Sequence, residues 1–148
     1  MPKQRITKEM VVDAAFRIAR SEGPEAVLVK RIAEELGCSV QPIYSYCKNM
    51  DELRDEVAKR AGTFIREAAA ARVDPQDLFR STGRAYVRLA REEPHLFRMF
   101  LFQRREHIAS LSDLYETETD PGVAERIAGE LGIDLGAAKQ LHLNMLIY

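Results

Sequence analysis

Gln41 and Ser45 carry an amide and a hydroxyl group one helical turn apart, within the segment Val29–Leu53. Side chains of these types read the edges of DNA bases, and a glutamine can offer adenine a paired donor and acceptor. Val40 and Pro42 stand beside them and could supply apolar contact to a thymine methyl group. The types and spacing of these four residues therefore predict a surface that faces the major groove of DNA.

Two short helices joined by a tight turn must position these side chains, and the sequence predicts both. Gly37 follows the last apolar residue of the first helix, where a residue that tolerates positive φ is favoured. Ser39 offers a hydroxyl cap for the second helix and is counted among the residues expected to contact DNA, whereas Ile43 points inward. This layout is typical of a helix-turn-helix. The first helix presents an apolar face of Ile32, Ala33 and Leu36, and the second leaves Gln41, Tyr44, Ser45 and Tyr46 outward.

Positive charge near this segment would add salt-dependent attraction to phosphates. Lys48 follows the second helix, and Lys3 and Arg5 lie in the N-terminal arm, although an ordinary solvated charge is the alternative for each. The net charge is only −1, but residues 1–50 hold eight basic against six acidic residues, whereas residues 51–148 hold 14 against 17. A slightly basic head and an acidic body fit DNA contact at one end.

Composition places the chain among globular proteins, because 46% of its 148 residues are hydrophobic and 30% are charged. No apolar run approaches the roughly 18 residues of a membrane span, and the N-terminus lacks the apolar segment of a signal peptide. These features predict a cytoplasmic protein without a membrane partner.

Cys38 and Cys47 form no Cys-x-x-Cys pair, so we expect two small buried thiols and no metal site.

Catalysis has little support in the sequence. His95, His107 and His142 are scattered, and they show neither the order of a Ser-His-Asp triad nor the spacing of metal ligands. Glycine-rich phosphate-binding loops are absent as well. We therefore expect neither an enzyme nor a bound cofactor.

The remaining sequence is helical in pattern, with no stretch of alternating polarity and no repeat. The apolar stripe of the first helix comprises Val11, Ala14, Ala15 and Ile18. Helices are expected from Thr7 to about Ser21, from Asp51 to about Arg72, from Pro75 to about Glu93, from Pro94 onward, across Ala109–Thr119, and on both sides of Gly132 and Asp134. The predicted fold class is all-α.

The predicted organisation is a three-helix helix-turn-helix head at residues 1–50 on a helical-bundle body at residues 51–148. The last residues of this body read KQLHLNMLIY, an apolar helix without a cap or a polar tail. An apolar end of this kind needs a partner, so we expect the body to be incomplete at its C-terminus.

The helix-turn-helix segment also resembles the DNA-binding signature of the TetR family of one-component transcriptional repressors. The resemblance covers about residues 5–60, and beyond them only the all-helical pattern agrees. It implies a homodimer that binds a palindromic DNA operator and that a small-molecule effector releases from it. The residues that carry the resemblance are Ile32-Ala33, Gly37-Cys38-Ser39, Ile43-Tyr44-Ser45-Tyr46 and Leu53, with Val11, Ala14, Ala15 and Gly23 upstream.

The resemblance also assigns roles to side chains. It implies that the hydroxyl groups of Tyr44 and Tyr46 contact phosphates and that Lys30 reaches a base or a phosphate, with core packing as the alternative for each tyrosine. It implies that the body at residues 51–148 forms the dimer and contains an effector pocket. For the pocket residues, the aromatic core of a helical bundle is the alternative. The candidate pocket residues are Phe79, Tyr86, Phe97, Phe100, Tyr115 and His142.

The sequence departs from the family pattern at several places. Leu28-Val29 replaces the serine or threonine that usually caps the first helix of the motif, and Met50 replaces a lysine; both usual residues hold phosphates. Cys47 stands where a core phenylalanine is usual, and Gln41 replaces a common glycine. We therefore expect weakened DNA binding, and the alternative function is a helical protein-interaction module that has lost DNA affinity.

Overall fold

The computed structural model describes residues 5–102, 109–119 and 122–147. Within these ranges all regular structure is helical and no strand occurs, which confirms the all-α prediction. The helices are α1 (Lys8–Glu22), α2 (Val29–Leu36), α3 (Gln41–Tyr46), α4 (Met50–Ala70), α5 (Leu78–Glu92), α6 (Pro94–Leu101), α7 (Leu111–Glu118), α8 (Val123–Leu131) and α9 (Leu135–Ile147), with a short 3₁₀ helix at Pro24–Ala26.

The described residues form two compact units. The first contains residues 5–68 and 89–102, and the second contains residues 69–88, 109–119 and 122–147. The division of the chain into a head at 1–50 and a body at 51–148 stays a prediction.

Helix α1 begins and ends as its sequence predicts. The Thr7 hydroxyl accepts a hydrogen bond from the Met10 N–H at 3.2 Å, so the first turn has a side-chain cap. The helix ends at Gly23, whose φ of 99° is one that side-chain-bearing residues rarely adopt. Pro24 then begins the 3₁₀ turn that leads to α2. The predicted stripe of Val11, Ala14, Ala15 and Ile18 is buried.

The core of the first unit is built from the apolar faces of its short helices. Ile18 of α1, Ile32 of α2, Ile43 of α3 and Val57 of α4 belong to one cluster, and each is almost completely buried. Burying a side chain of this size stabilises a fold by about 1.5–3 kcal/mol. Because each helix contributes to one shared core, the orientation of the six-residue α3 is set by packing rather than by its own helical propensity.

Two ion pairs hold the start of α6 against α1 and α6 itself against the 3₁₀ helix. The Arg20 Nε donates to both Glu93 carboxylate oxygens, at 3.0 and 3.1 Å, and Arg98 pairs with Glu25. The Arg20 guanidinium also lies 4.9 Å from the ring centroid of Phe64 in α4. A single arginine thus joins three elements of the first unit.

The second unit has its own small core of Leu78, Ile127 and Ala138. Its first helix, α5, begins at Leu78 and not at Pro75, so the predicted start is wrong. The Asp74 carboxylate accepts from the Gln76 N–H at 2.9 Å, and this turn places Pro75 before the helix. The Leu78 N–H then donates to the Glu130 carboxylate of α8 at 3.1 Å, which caps the helix from another element.

The later helix boundaries agree with the sequence. The Ser110 hydroxyl accepts from the Asp113 N–H at 3.1 Å and caps α7. Gly132, with φ of 66°, ends α8.

Lys3, His107 and the predicted break at Asp120-Pro121 lie outside the described residues. Among the helices of the described chain, none combines the length and the apolar character that crossing a membrane requires.

Candidate nucleic-acid interface

The turn between α2 and α3 is fixed by backbone hydrogen bonds around Gly37. This residue has φ of 64° and ψ of 33°, the left-handed conformation that glycine adopts most readily. The Cys38 N–H donates to the Ala33 carbonyl at 3.0 Å, and the Gly37 N–H donates to the Glu34 carbonyl at 3.2 Å. This pair of bonds is a Schellman motif, and it confirms the predicted role of Gly37.

The start of α3 differs from the prediction, because Ser39 does not cap it. The N-cap position belongs to Val40, and no side chain bonds to the first turn. Pro42 has no N–H, and the Ile43 N–H donates to the Val40 carbonyl at 3.1 Å. Of the amides that a serine at position 39 would cap, Pro42 has none, and the exposed Ser39 hydroxyl makes no hydrogen bond to the first turn.

The outward face of α3 is defined by its one buried residue, Ile43, which is 0% exposed. At about 100° per residue, Gln41 and Ser45 lie about 160° and 200° around the helix from Ile43. These two exposed side chains form the centre of the outward face. The Ser45 hydroxyl donates to the Gln41 carbonyl at 3.3 Å, so the two residues are also linked.

Aromatic side chains flank this centre on both sides. Tyr44 is 56% exposed and Tyr46 is 37% exposed, so neither ring belongs to the core. Val40 is exposed and Pro42 is half-buried. Hydroxyl groups at the two edges of a base-reading face are suitably placed for the phosphates that border a groove. The predicted phosphate role of the tyrosines stays a prediction.

The charges around the motif fall into two classes. The arginines of α1 and α2 bind carboxylates: Arg31 pairs with Glu22 and Glu35, and Arg17 also reaches Glu35. Lys30 and Lys48 are exposed, and within residues 5–102 neither forms an ion pair. Arg5 in the N-terminal arm is exposed too and forms no ion pair within the same residues, so the positive charge that is free to attract a polyanion belongs to these lysines and to the arm.

Two usual phosphate-holding positions carry apolar side chains here. Leu28 is the N-cap of α2, is 52% exposed, and makes no side-chain cap. Met50 packs against the core of the first unit. The structure adds Asn49, which the sequence analysis did not single out: its side-chain oxygen accepts from the Asp51 N–H at 2.9 Å. An asparagine just before a helix is a recognisable capping signal.

A groove of about 270 Å³ lies where α3 meets α4. Val12, Cys47 and Leu53 contribute apolar lining, and lysine and carboxylate side chains contribute the polar part.

Burial raises the pKa of the Cys47 thiol, which therefore stays protonated near neutral pH. Cys47 is buried as expected, whereas Cys38 is only half-buried.

The six candidate effector residues are divided between the two units. In the first unit, the Phe97 and Phe100 rings have centroids 6.0 Å apart. In the second, the Tyr115 hydroxyl and His142 Nδ1 are hydrogen-bonded within the core. Phe79 packs against the core of the second unit, and Tyr86 is half-buried there. That all six line one effector pocket stays a prediction.

The comparisons with known proteins concern mainly the helix-turn-helix. Residues 11–57 match the family model described as bacterial regulatory proteins, tetR family. This segment is therefore similar to the DNA-binding part of that family. The match contains α2, α3 and the turn between them, together with most of α1 and the start of α4.

Two relatives are named as helix-turn-helix (HTH) transcriptional regulators. The HTH-type transcriptional repressor DrrR1 of Streptomyces coeruleorubidus is 39% identical over 59 residues, which cover 40% of this chain and 22% of that protein. The uncharacterized HTH-type transcriptional regulator YobS of Bacillus subtilis (strain 168) is 27% identical over 105 residues, which cover 69% of this chain and 55% of that protein. The chain thus spans about half, or less, of the length of these relatives.

Proposed function

We propose that this protein is a DNA-binding transcriptional regulator. The observation that carries the proposal is the outward face of α3, where Gln41 and Ser45 lie opposite the buried Ile43 and between two exposed tyrosines. A short helix held by a shared core can present such side chains to the major groove without rearrangement. Its position inside the TetR-family match supports the same function.

The regulator is proposed to be a repressor, since DrrR1 carries that name. It binds a palindromic operator as a homodimer in the cytoplasm, without enzymatic activity. A small-molecule effector bound by the helical body favours a separation of the two heads that no longer matches successive major-groove segments, and DNA is released. These finer statements rest on the family resemblance.

Electrostatics set the expected character of DNA binding. Each phosphate contact contributes about −0.9 to the slope of log affinity against log salt concentration. Lys30 and Lys48 are exposed and free of ion pairs among the described residues, and they supply part of this slope. The apolar Leu28 and Met50 lower its magnitude by about two units if each removes one phosphate contact.

The test is fluorescence anisotropy of the full chain with a labelled nonspecific duplex, over a series of salt concentrations. We expect binding at low salt that weakens steeply as salt rises. Lys48→Ala should reduce the magnitude of the slope by about one, because one phosphate contact is lost. Lys139→Ala removes an equally exposed lysine from α9 and serves as the matched control. No binding at about 50 mM salt, a concentration at which phosphate contacts are strong, would contradict the proposal.

A second candidate function is a helical protein-interaction module that has kept the fold and lost DNA affinity. Two observations favour it: Leu28 exposes an apolar side chain at the N-terminus of α2, and Met50 packs into the core instead of carrying a charge to the surface. Under this function, the anisotropy would show no steep salt dependence. The salt series therefore separates the two candidates.

A further inference from the structure

The Ser45 hydroxyl has a hydrogen-bond partner inside α3. It donates to the carbonyl of Gln41, one turn earlier, with an Oγ–O distance of 3.3 Å. A serine hydroxyl has one donor and two acceptor lone pairs. With the donor directed back to the helix, the group that Ser45 presents to its surroundings is a hydrogen-bond acceptor.

This acceptor lies on the part of α3 that a duplex would meet. Ser45 is exposed, and it stands opposite the buried Ile43 together with Gln41. Its neighbours on the helix do not compete for the lone pairs, because within the described residues no side chain donates to the Ser45 oxygen. The lone pairs are therefore available to a ligand.

The major groove offers two kinds of donor to such an acceptor, the N6 amino group of adenine and the N4 amino group of cytosine. We propose that Ser45 is a specificity-determining residue that accepts a hydrogen bond from one of these exocyclic amino groups. The proposal rests on the DNA-binding function proposed above. It adds a direction to the hydrogen bond, since contact with guanine O6 or thymine O4 would require the hydroxyl to turn away from the Gln41 carbonyl.

Gln41 can read a second base, because the hydrogen bond from Ser45 uses the backbone carbonyl of Gln41 and leaves the Gln41 side-chain amide free. That amide can pair with adenine through one donor and one acceptor. The two residues lie about 6 Å apart along one face of the helix, the distance of neighbouring side chains at i and i+4. We infer that Ser45 selects an amino-bearing base next to the base that Gln41 reads.

The experiment first selects duplexes from a random library with the full-length protein. Each amino group of the selected site is then removed singly, by replacing adenine with purine or cytosine with 2-pyrimidinone. The Kd of every duplex is measured for the wild type and for Ser45→Ala. At one base, loss of the amino group should weaken wild-type binding about 2- to 12-fold, as expected for one hydrogen bond, and should leave Ser45→Ala unaffected.

Two further variants sharpen the interpretation. Ser45→Thr keeps a hydroxyl that can bond to the carbonyl one turn earlier, so it should retain the wild-type response. Ser21→Ala removes an exposed serine of α1 that also donates to the carbonyl one turn earlier, and this variant should retain the response as well. Circular dichroism melts confirm that each variant is folded, and an alanine on an exposed helix face favours folding.

The inference is overturned if Ser45→Ala responds to every amino-group removal as the wild type does. It is also overturned if the Ser45-dependent loss appears when guanine O6 or thymine O4 is removed instead. In both cases the protein still binds duplex DNA, so the proposed function stands. Failure of the wild type to bind any duplex at low salt rejects the proposed function and the inference together.

Discussion

The Tyr115 hydroxyl and His142 Nδ1 are 2.8 Å apart, and they form a hydrogen bond in the interior of the second unit. The rings meet edge to face, with centroids 5.3 Å apart and an interplanar angle of 87°. His142 is only 4% exposed, and burial lowers the pKa of its imidazole. A neutral imidazole can make this bond with Nδ1 either accepting from the tyrosine or donating to it, depending on the tautomer, and burial favours the neutral form.

The neutral His142 predicts that stability falls in mild acid. Its folded-state pKa is lower than the unfolded value of about 6.5, so the unfolded chain binds the proton more readily. This contribution to stability is fully present above about pH 6.5 and is lost as the pH falls toward the lowered folded-state pKa.

Urea denaturation of the wild type at a series of pH values between neutrality and mild acid measures this loss. His142→Gln should flatten the dependence in this range, whatever its overall stability. His95→Gln changes a half-buried histidine of the first unit and should keep the wild-type dependence. An unchanged pH profile in His142→Gln would show that other groups titrate.

Gly37→Ala should destabilise the fold by about 1–2 kcal/mol, the expected difference for an alanine in the left-handed conformation. The reason is backbone strain alone, because nothing lies within 4 Å of an added Cβ atom. Gly129→Ala is the matched control: it also meets nothing within 4 Å, but it lies in the middle of α8 without a positive φ. Thermal melts should show a lowered Tm for the first variant and an equal or higher Tm for the second.

The ion pair between Arg20 and Glu93 should show measurable coupling in a double-mutant cycle. Replacing each residue by alanine, singly and together, isolates their interaction from the loss of the Arg20 contact with Phe64. We expect a coupling of about 0.5–1 kcal/mol, because the Arg20 side chain is half exposed and solvent screens the pair. Added salt should reduce it.

The pair Arg54–Asp51 gives the reference for that cycle. Its Asp51 side chain is far more exposed than that of Glu93, and the two residues are only three positions apart on α4. For this helical pair we expect a coupling free energy of about 0.3 kcal/mol. If the coupling free energy of Arg20 and Glu93 is no larger, that pair does not hold α6 to α1.

Tyr44→Ala should weaken DNA binding without unfolding the protein. More than half of the side chain is exposed, so its removal leaves no large cavity in the core. Anisotropy measures the affinity, and a thermal melt under the same conditions measures cooperativity. Loss of a cooperative melt would show that Tyr44 is a core residue, and unchanged affinity would exclude it from the interface.

The sequence predicted the parts of the fold that depend on local patterning. The apolar spacing in α1 and the glycine after α2 have local causes, and both are where they were expected. Two expectations failed where a local signal competed with another. Pro75 resembles a first helical residue, but Asp74 forms a turn around it. Ser39 resembles a cap, but Pro42 removes an amide that a cap would serve.

The sequence could not show which basic residues are paired with carboxylates, because ion pairing depends on tertiary neighbours. Arg20 and Glu93 are separated by 73 positions, and nothing in their local sequence links them. In the sequence every basic residue contributes the same positive charge. The structure shows which of these charges are paired with carboxylates. The outward direction of Gln41 and Ser45, by contrast, follows from helical periodicity once Ile43 is recognised as buried.

The unpaired lysines and the paired arginines around α3 differ in their reactivity toward amine-specific reagents. Reagents that acylate amines convert an ammonium group to a neutral amide and do not react with guanidinium groups under the same conditions. Such treatment would neutralise Lys30 and Lys48 while the pairs of Arg17, Arg20 and Arg31 with their carboxylates persist. The share of the attraction to a polyanion that Lys30 and Lys48 provide could thus be removed by covalent chemistry that leaves these ion pairs in place.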